Sequence, residues 1–368
     1  MNSTNYPTPY ITLNLNKLKL RYEEFLAAFN GYKIYYAVKA NPHKEVLKLL
    51  AACGSYFDTA SVGEIVDVLA CGIEPYRVSY GNTIKKEADI AKAFALGVGL
   101  FAIDSMAELE KIARAAPQSD IFCRLLVDCD GAQWPLTRKF GCSLEKAEIL
   151  LLHAKKLGLN PRGVSFHVGS QQLNLQSWQI VIKMASEVFH SVQKHGIELN
   201  LLNLGGGFPI AYLDAIPSPD DISVVIERAI KQYFGNKKLE LIIEPGRGMV
   251  GDCGVMCCEI VLISNKTKDD KCRWLYLDAG KFNGLIETLE ESIRYKIVVP
   301  NRTGKLDNFI IAGPTCDSAD VLYEKNPYPL PCDIQIGDKM YIYGTGAYSS
   351  SYASVSFNGF EPIKTYIE

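Results

Sequence analysis

Between Lys33 and Ile243 the chain alternates eight short apolar runs with amphipathic segments, a repeat that leaves few folds open. The runs occupy 33–38, 55–59, 77–80, 99–103, 121–127, 163–167, 199–204 and 239–243. Short buried strands separated by helical patterns belong to a parallel sheet with helices outside it. One such pattern, 85–96, places Ile84, Ala88, Ala91 and Ala95 on one face and stops at Gly97. Seven helices fit between eight strands, and the amphipathic segment 18–29 ahead of the first strand supplies an eighth, packing beside the last strand. The expectation is an α/β fold built on a closed (β/α)8 TIM-like barrel.

After Gly248 the pattern changes to strand-like runs at 255–263, 274–277, 295–299, 309–312 and 339–343. This half reads as a C-terminal antiparallel β-sheet domain, and the run 10–15 can add a strand to it. The expected division is a barrel over 17–250 and a sheet domain over 251–368 joined by the N-terminal strand 8–16. A length of 368 residues suits a barrel of roughly 250 residues plus a smaller domain. A formal net charge of -2 without a basic stripe argues against nucleic acid as a partner. Apolar runs broken by charge, and an N-terminus without a signal-peptide layout, lead to the expectation of a cytoplasmic protein with no membrane partner. Its 11 cysteines contain no Cys-x-x-Cys pair and no zinc spacing, so no metal is expected.

Barrels of this kind carry their chemistry at the C-terminal ends of the strands, where polar groups accumulate here. Lys39 follows the first strand, Asp58 ends the second, Arg124 lies in the fifth, and His167 ends the sixth. Gly205, Gly206 and Gly207 follow the seventh, and Glu244 follows the eighth. Each has a structural alternative: Lys39 can snorkel, Asp58 can cap a helix, His167 can be a core histidine, and Arg124 can pair with a carboxylate. Six on one rim favour a site. Partial desolvation at a strand mouth is expected to lower the pKa of Lys39, as attack on a carbonyl carbon requires.

A glycine loop after a strand can present backbone N–H groups to a phosphate, with Arg247 as a nearby cation. Strands one and eight are neighbours in a closed barrel, so Lys39 and Glu244 can face one ligand. An aldehyde for Lys39, a protonated ring nitrogen for Glu244 and a phosphate for the glycines describe pyridoxal 5'-phosphate.

These residues resemble the fold-type III pyridoxal phosphate decarboxylases, which act on ornithine, lysine, arginine or diaminopimelate. The motifs are Tyr36-Ala37-Val38-Lys39-Ala40-Asn41, Phe166-His167-Val168-Gly169-Ser170, Leu204-Gly205-Gly206-Gly207-Phe208, Glu244-Pro245-Gly246-Arg247, Gly313-Pro314-Thr315-Cys316-Asp317 and Gly346-Ala347-Tyr348. The resemblance spans nearly the whole chain and implies an alanine racemase-like domain pair. It implies that Lys39 holds the cofactor, His167 stacks on its ring and Glu244 holds its ring nitrogen. Ser170, Gly206, Gly207, Arg247 and Tyr348 would bind the phosphate, while Asp58 and Arg124 would line the site.

It further implies a homodimer with active sites shared at the interface, Cys316 near the substrate α-carbon and Asp317 at its distal amine. Asp317 stands where diaminopimelate decarboxylases typically carry glutamate, and the run 351–360 resembles ornithine decarboxylases. The expected reaction is therefore conversion of L-ornithine to putrescine, with lysine, arginine or diaminopimelate as alternative substrates and an inactive regulatory homologue as a remote alternative. Phe357 is a further expected substrate contact. In animal ornithine decarboxylases a second substrate-binding aspartate follows a Phe-Asn pair; here Thr288 occupies that place, and Glu287 beside it is the candidate. The stretch 134–138 is a candidate flap.

Overall fold

The computed structural model describes residues 6–134 and 139–368; the candidate flap falls almost wholly outside them. The chain divides into two compact units, one comprising Lys19–Pro209 and Ile216–Met249, the other the stretch up to Leu18, Ile210–Ala215 and Val250–Glu368.

In the first unit eight parallel strands, Lys33–Ala37, Tyr56–Thr59, Val78–Tyr80, Leu100–Ile103, Asp120–Arg124, Asn160–Ser165, Leu201–Asn203 and Glu240–Ile243, close into a barrel. Closure pairs Ile242 with Lys33 and Ile243 with Ile34. All eight expected strands form. The fifth and sixth stop sooner than expected, so Arg124 is the last residue of its strand and His167 lies just beyond Ser165. Alternate residues point inward, and Tyr35, Ala102, Phe122, Leu201 and Ile242 pack together in the interior.

Four of the seven intervening helices begin at a side-chain cap, at His43, Ser61, Ser143 and Ser218. Ser61, Ser143 and Ser218 accept from the N–H groups of Glu64, Lys146 and Asp221. At 218 the Asp221 side chain answers the Ser218 N–H, Pro219 opens the helix, and Gly235 ends it at φ 60°. The helix that precedes the first strand, Leu15–Ala28, leads into Phe29, and Phe25 and Phe29 pack edge-on against Phe208, which follows the seventh strand. One helical face differs from expectation. In Glu87–Ala95 the buried residues are Ile90 and Ala93, whereas Ala88, Ala91 and Ala95 are exposed and Ile84 lies outside the helix. The helix instead turns Ile90, its one β-branched aliphatic residue, inward together with Ala93.

The N-terminal rim is closed by charge. Lys33 pairs with Glu240 at 2.6 Å, and Arg162 bridges Glu240 at 2.9 Å and Asp120 at 2.5 Å. These contacts tie four strands together and leave the opposite rim for chemistry.

The second unit is a sheet organised around the strand Gly254–Ser264. Its first half pairs antiparallel with Tyr10–Leu13 on one side and Lys339–Tyr343 on the other; its second half pairs antiparallel with Arg273–Leu277 beyond an irregularity at Ile260/Leu262. Lys296–Val298 adds to Lys339–Tyr343, and Leu306–Ala312 joins Arg273–Leu277. The sheet is mixed: the Arg273–Leu277 pairing with Leu306–Ala312 and that of Tyr10–Leu13 with Lys364–Ile367 are parallel, the other pairs antiparallel. Two strands were not expected. Val321–Pro331 carries Pro327, Pro329 and Pro331, tolerated because it pairs only with Leu306–Ala312 at the sheet edge. Lys364–Ile367 is too short for a clear alternation. Among the described residues no helix is long and apolar enough to cross a membrane.

Candidate active site

At the C-terminal rim of the barrel a cleft of about 220 Å³ is lined by Lys39, Asp58, Arg124, His167 and Glu244, together with Asn82 and Phe140. Five of the side chains singled out in sequence thus share one cavity. A larger depression of about 470 Å³ lies at the opposite rim around the Lys33–Glu240–Arg162–Asp120 network, where charges already pair with one another.

Lys39 sits in a single helical turn, Val38–Ala40, directly after the first strand. Val38 and Ala40 are buried while Lys39 is exposed, which corrects the expectation of a desolvated amine. The turn directs the neighbouring apolar residues into the core and the lysine into the open cleft.

The two carboxylates are buried. Burial pushes the pKa of Asp58 well up, Glu244 adds to the rise, and Lys39 and the Ser79 hydroxyl at 3.0 Å oppose it. Gly81 leaves room for this carboxylate, since a Cβ there would fall 1.9 Å from Asp58 Oδ1. Glu244 is also raised by burial, against the hydrogen bond from Asn203 and the charges of Lys39 and Arg124. Burial depresses His167 well below its usual value and the charges of Arg124 and Lys39 lower it further, so its imidazole is neutral. Its Nδ1 is buried without a hydrogen-bond partner. Arg124 is lowered by burial while Glu244, Asp58 and Asp104 favour its charge, and its guanidinium lies 5.0 Å from the centre of the Phe140 ring.

The glycine loop lies beside these groups. Glu244 N–H donates to the Gly205 carbonyl, and a Cβ on Gly206 would come 2.8 Å from the Glu244 carbonyl oxygen. Gly207, at φ +105°, would bring a Cβ 2.7 Å from the Gly169 carbonyl. Ser170 begins a short strand, Ser170–Gln172, paired with Ala132–Trp134, and Gln172 N–H donates to the Gly207 carbonyl. Arg247 is buried and reaches Ser170 Oγ through Nε at 3.4 Å and Nη2 at 3.3 Å. Ser170 and Arg247 are thereby brought together.

Sequence reasoning missed Asn203, Asn82 and Phe140. Asn203 is buried on the seventh strand; its Nδ2 donates to Glu244 Oε1 and its Oδ1 accepts from the Gly205 N–H at 2.9 Å. Its signal was its place in the run Leu201-Leu202-Asn203-Leu204: two residues after an inward leucine, a polar side chain points inward too.

The remaining expected residues belong to the sheet unit. Cys316 and Asp317 are exposed neighbours; Cys316 N–H donates to Asn358 Oδ1 at 3.0 Å, and Asp317 Oδ1 accepts from Ala319 N–H at 2.8 Å. Asp320 anchors this loop from within, accepting from Lys281 N–H, Thr315 N–H and the Thr315 hydroxyl. The Phe357 ring packs 4.7 Å from that of Phe282. Tyr348 is half-buried at φ 55°, a left-handed conformation uncommon for an aromatic residue. Glu287 is 4% exposed and Thr288 is fully buried with its hydroxyl on the Leu285 carbonyl, so neither presents an open side chain as Asp317 does.

Residues 15–251 match the family model described as the pyridoxal binding domain of pyridoxal-dependent decarboxylases. The chain belongs to this decarboxylase family. It is 31% identical to a lysine/ornithine decarboxylase of Selenomonas ruminantium, over 98% of this chain and 90% of that one. It is 33% identical to the ornithine decarboxylase of Schizosaccharomyces pombe, over 89% of this chain and 76% of that protein. Its fold matches the arginine decarboxylase of Paramecium bursaria Chlorella virus, crystallised with agmatine, at a TM-score of 0.90 and 26% identity, covering 99% and 98% of the two chains. The decarboxylase site suits pyridoxal phosphate: an exposed primary amine, a buried carboxylate held by Asn203, and an Arg247–Ser170 pair beside glycines that admit no side chain.

Proposed function

We propose that this pyridoxal phosphate-dependent decarboxylase converts L-ornithine to putrescine, supplying a polyamine precursor. The observation that carries the choice is Asp317, an exposed carboxylate beside Cys316. A carboxylate facing a distal ammonium in a partly dehydrated site binds far more strongly than an exposed surface pair. Its side chain is shorter than glutamate, which suits a bare amine better than a substrate bearing a second carboxylate.

When bound, the cofactor supplies the electron sink that receives the pair from the breaking bond between the α-carbon and its carboxylate. The protein residues have separate tasks. Lys39 offers the amine that holds the cofactor aldehyde and later releases the product. Glu244 keeps a proton on the ring nitrogen, aided by Asn203, which favours its ionised form. Neutral His167 presents a flat face without adding charge. Asp58 and Arg124 line the cofactor site, and Ser170, Gly206, Gly207, Arg247 and Tyr348 hold the phosphate.

Cys316 returns a proton to the α-carbon, Asp317 binds the distal amine, and Phe357 packs beside the substrate's methylenes. In this reading two copies of the chain form a homodimer, each site drawing Cys316 and Asp317 from the partner subunit.

Lysine is longer by one methylene, worth about 1 to 3 kcal/mol in discrimination. Supplying purified protein separately with L-ornithine, L-lysine, L-arginine and diaminopimelate, and identifying the amine released, tests the proposal. Putrescine at the highest kcat/KM supports it. A higher kcat/KM for cadaverine formation would transfer the assignment to lysine, and no amine from any of the four would end it.

A further inference from the structure

Two walls of the cleft depend on a carboxylate outside the proposed set. Asp104 stands immediately after the fourth strand, Leu100–Ile103. Its Oδ2 accepts from the Thr83 hydroxyl at 2.7 Å and from the Gly141 N–H at 2.9 Å. Thr83 follows Asn82, and Gly141 follows Phe140; both Asn82 and Phe140 line the cleft. One oxygen therefore joins the loop after the third strand to the segment after the fifth.

Neither connection has slack. Thr83 is 1% exposed, and the Lys85 ammonium fastens the same loop to the carbonyls of Asn82 and Ala102, each at 2.7 Å. On the other side Gly141 has φ +90° and is so tightly packed that a Cβ would lie 2.6 Å from the Leu126 nitrogen. Cys142 N–H donates to the Arg124 carbonyl and Leu126 N–H donates to the Cys142 carbonyl. The segment that carries Phe140 is thus hung on the fifth strand by its backbone and on the fourth by Asp104.

We propose that Asp104 is a positioning residue, which sets Phe140 against the Arg124 guanidinium and Asn82 at the cleft wall so that the cofactor meets a preformed site. The mechanism is hydrogen bonding to two loops; Asp104 is not among the residues that line the cleft. A displacement of about 1 Å at a reacting site can cost about a hundredfold in rate.

The test uses full-length Asp104→Ala and Asp104→Asn proteins, with pyridoxal phosphate affinity measured by absorbance titration and turnover measured on whichever amino acid the wild type decarboxylates. Asp104→Ala removes the oxygen that accepts both hydrogen bonds and is expected to weaken cofactor binding by about tenfold or more. Its kcat should fall by a larger factor than its KM rises. Asp104→Asn keeps an oxygen able to accept from both donors, and is expected to stay within about threefold of wild type. Thr83→Val, which deletes one donor at constant shape, provides the same reading should the alanine variant fail to fold: weaker cofactor binding with a near-native melting temperature.

Wild-type cofactor affinity in the folded Asp104→Ala or Thr83→Val protein would overturn the proposal. So would an Asp104→Asn protein as impaired as Asp104→Ala, since charge would then be the cause. The cofactor titration is independent of the ornithine assignment, so the two can fail separately.

Discussion

Asn203 joins Glu244 to the glycine loop: one end of its amide donates to the Glu244 carboxylate and the other accepts from the Gly205 N–H. Burial alone pushes the Glu244 pKa upward, and the Asn203 bond is the largest influence opposing it. Removing the amide should raise the pKa further. A protonated Glu244 no longer favours a proton on a ring nitrogen facing it, so Asn203→Ala should move the acid limb of the kcat/KM profile to higher pH. A loss of about tenfold at neutral pH is expected. An unchanged pH–rate profile would show that Asn203 has no hold on Glu244.

Asp58 predicts an opposition between stability and function. A carboxylate with its folded pKa above the unfolded value of about 3.9 stabilises the fold fully below that value, and the contribution is lost as pH rises through the folded pKa. The cofactor-free protein should therefore lose stability as pH rises from the acid side toward neutrality. Asp58→Asn keeps an acceptor for Ser79 and removes the buried charge. It is expected to raise the melting temperature of the cofactor-free protein at pH 7.5 by about 2 °C, to flatten that part of the pH dependence, and to weaken cofactor binding. Calorimetry across the pH range checks the first two effects, and absorbance titration the third.

The glycine loop offers a test by volume. Gly206 does not have positive φ, so alanine there brings no backbone strain, yet its Cβ would meet the Glu244 carbonyl at 2.8 Å. Gly206→Ala should displace the loop from Glu244 and raise the dissociation constant for pyridoxal phosphate by about tenfold, with loss of turnover to match. Binding as tight as wild type would remove the loop from the phosphate site.

The barrel was legible because its strands are short, apolar and evenly interrupted, and Lys39, Asp58, Arg124, His167 and Glu244 stood out as polar groups at their ends. Asn203 escaped because it lies inside an apolar run, where only the alternation starting at Leu201 marks it as inward-facing. Asp104 escaped for the opposite reason: an Asp-Ser pair after a strand reads as an ordinary helix cap, and its donors on Thr83 and Gly141 are distant in sequence. The exposure of Lys39 depends on a single helical turn that apolar periodicity cannot reveal. In the sheet unit the prolines of Val321–Pro331 concealed a strand that only its edge position permits.

Lys39 is the amine expected to carry the cofactor. Treating the purified, cofactor-loaded protein with borohydride fixes pyridoxal phosphate covalently to the amine that holds it, and peptide mapping by mass spectrometry then locates the label. The phosphopyridoxyl group is expected on the peptide containing Lys39, and is expected to be absent from Lys39→Ala protein. A label on a different lysine of the wild-type protein, with Lys39 unmodified, would contradict it.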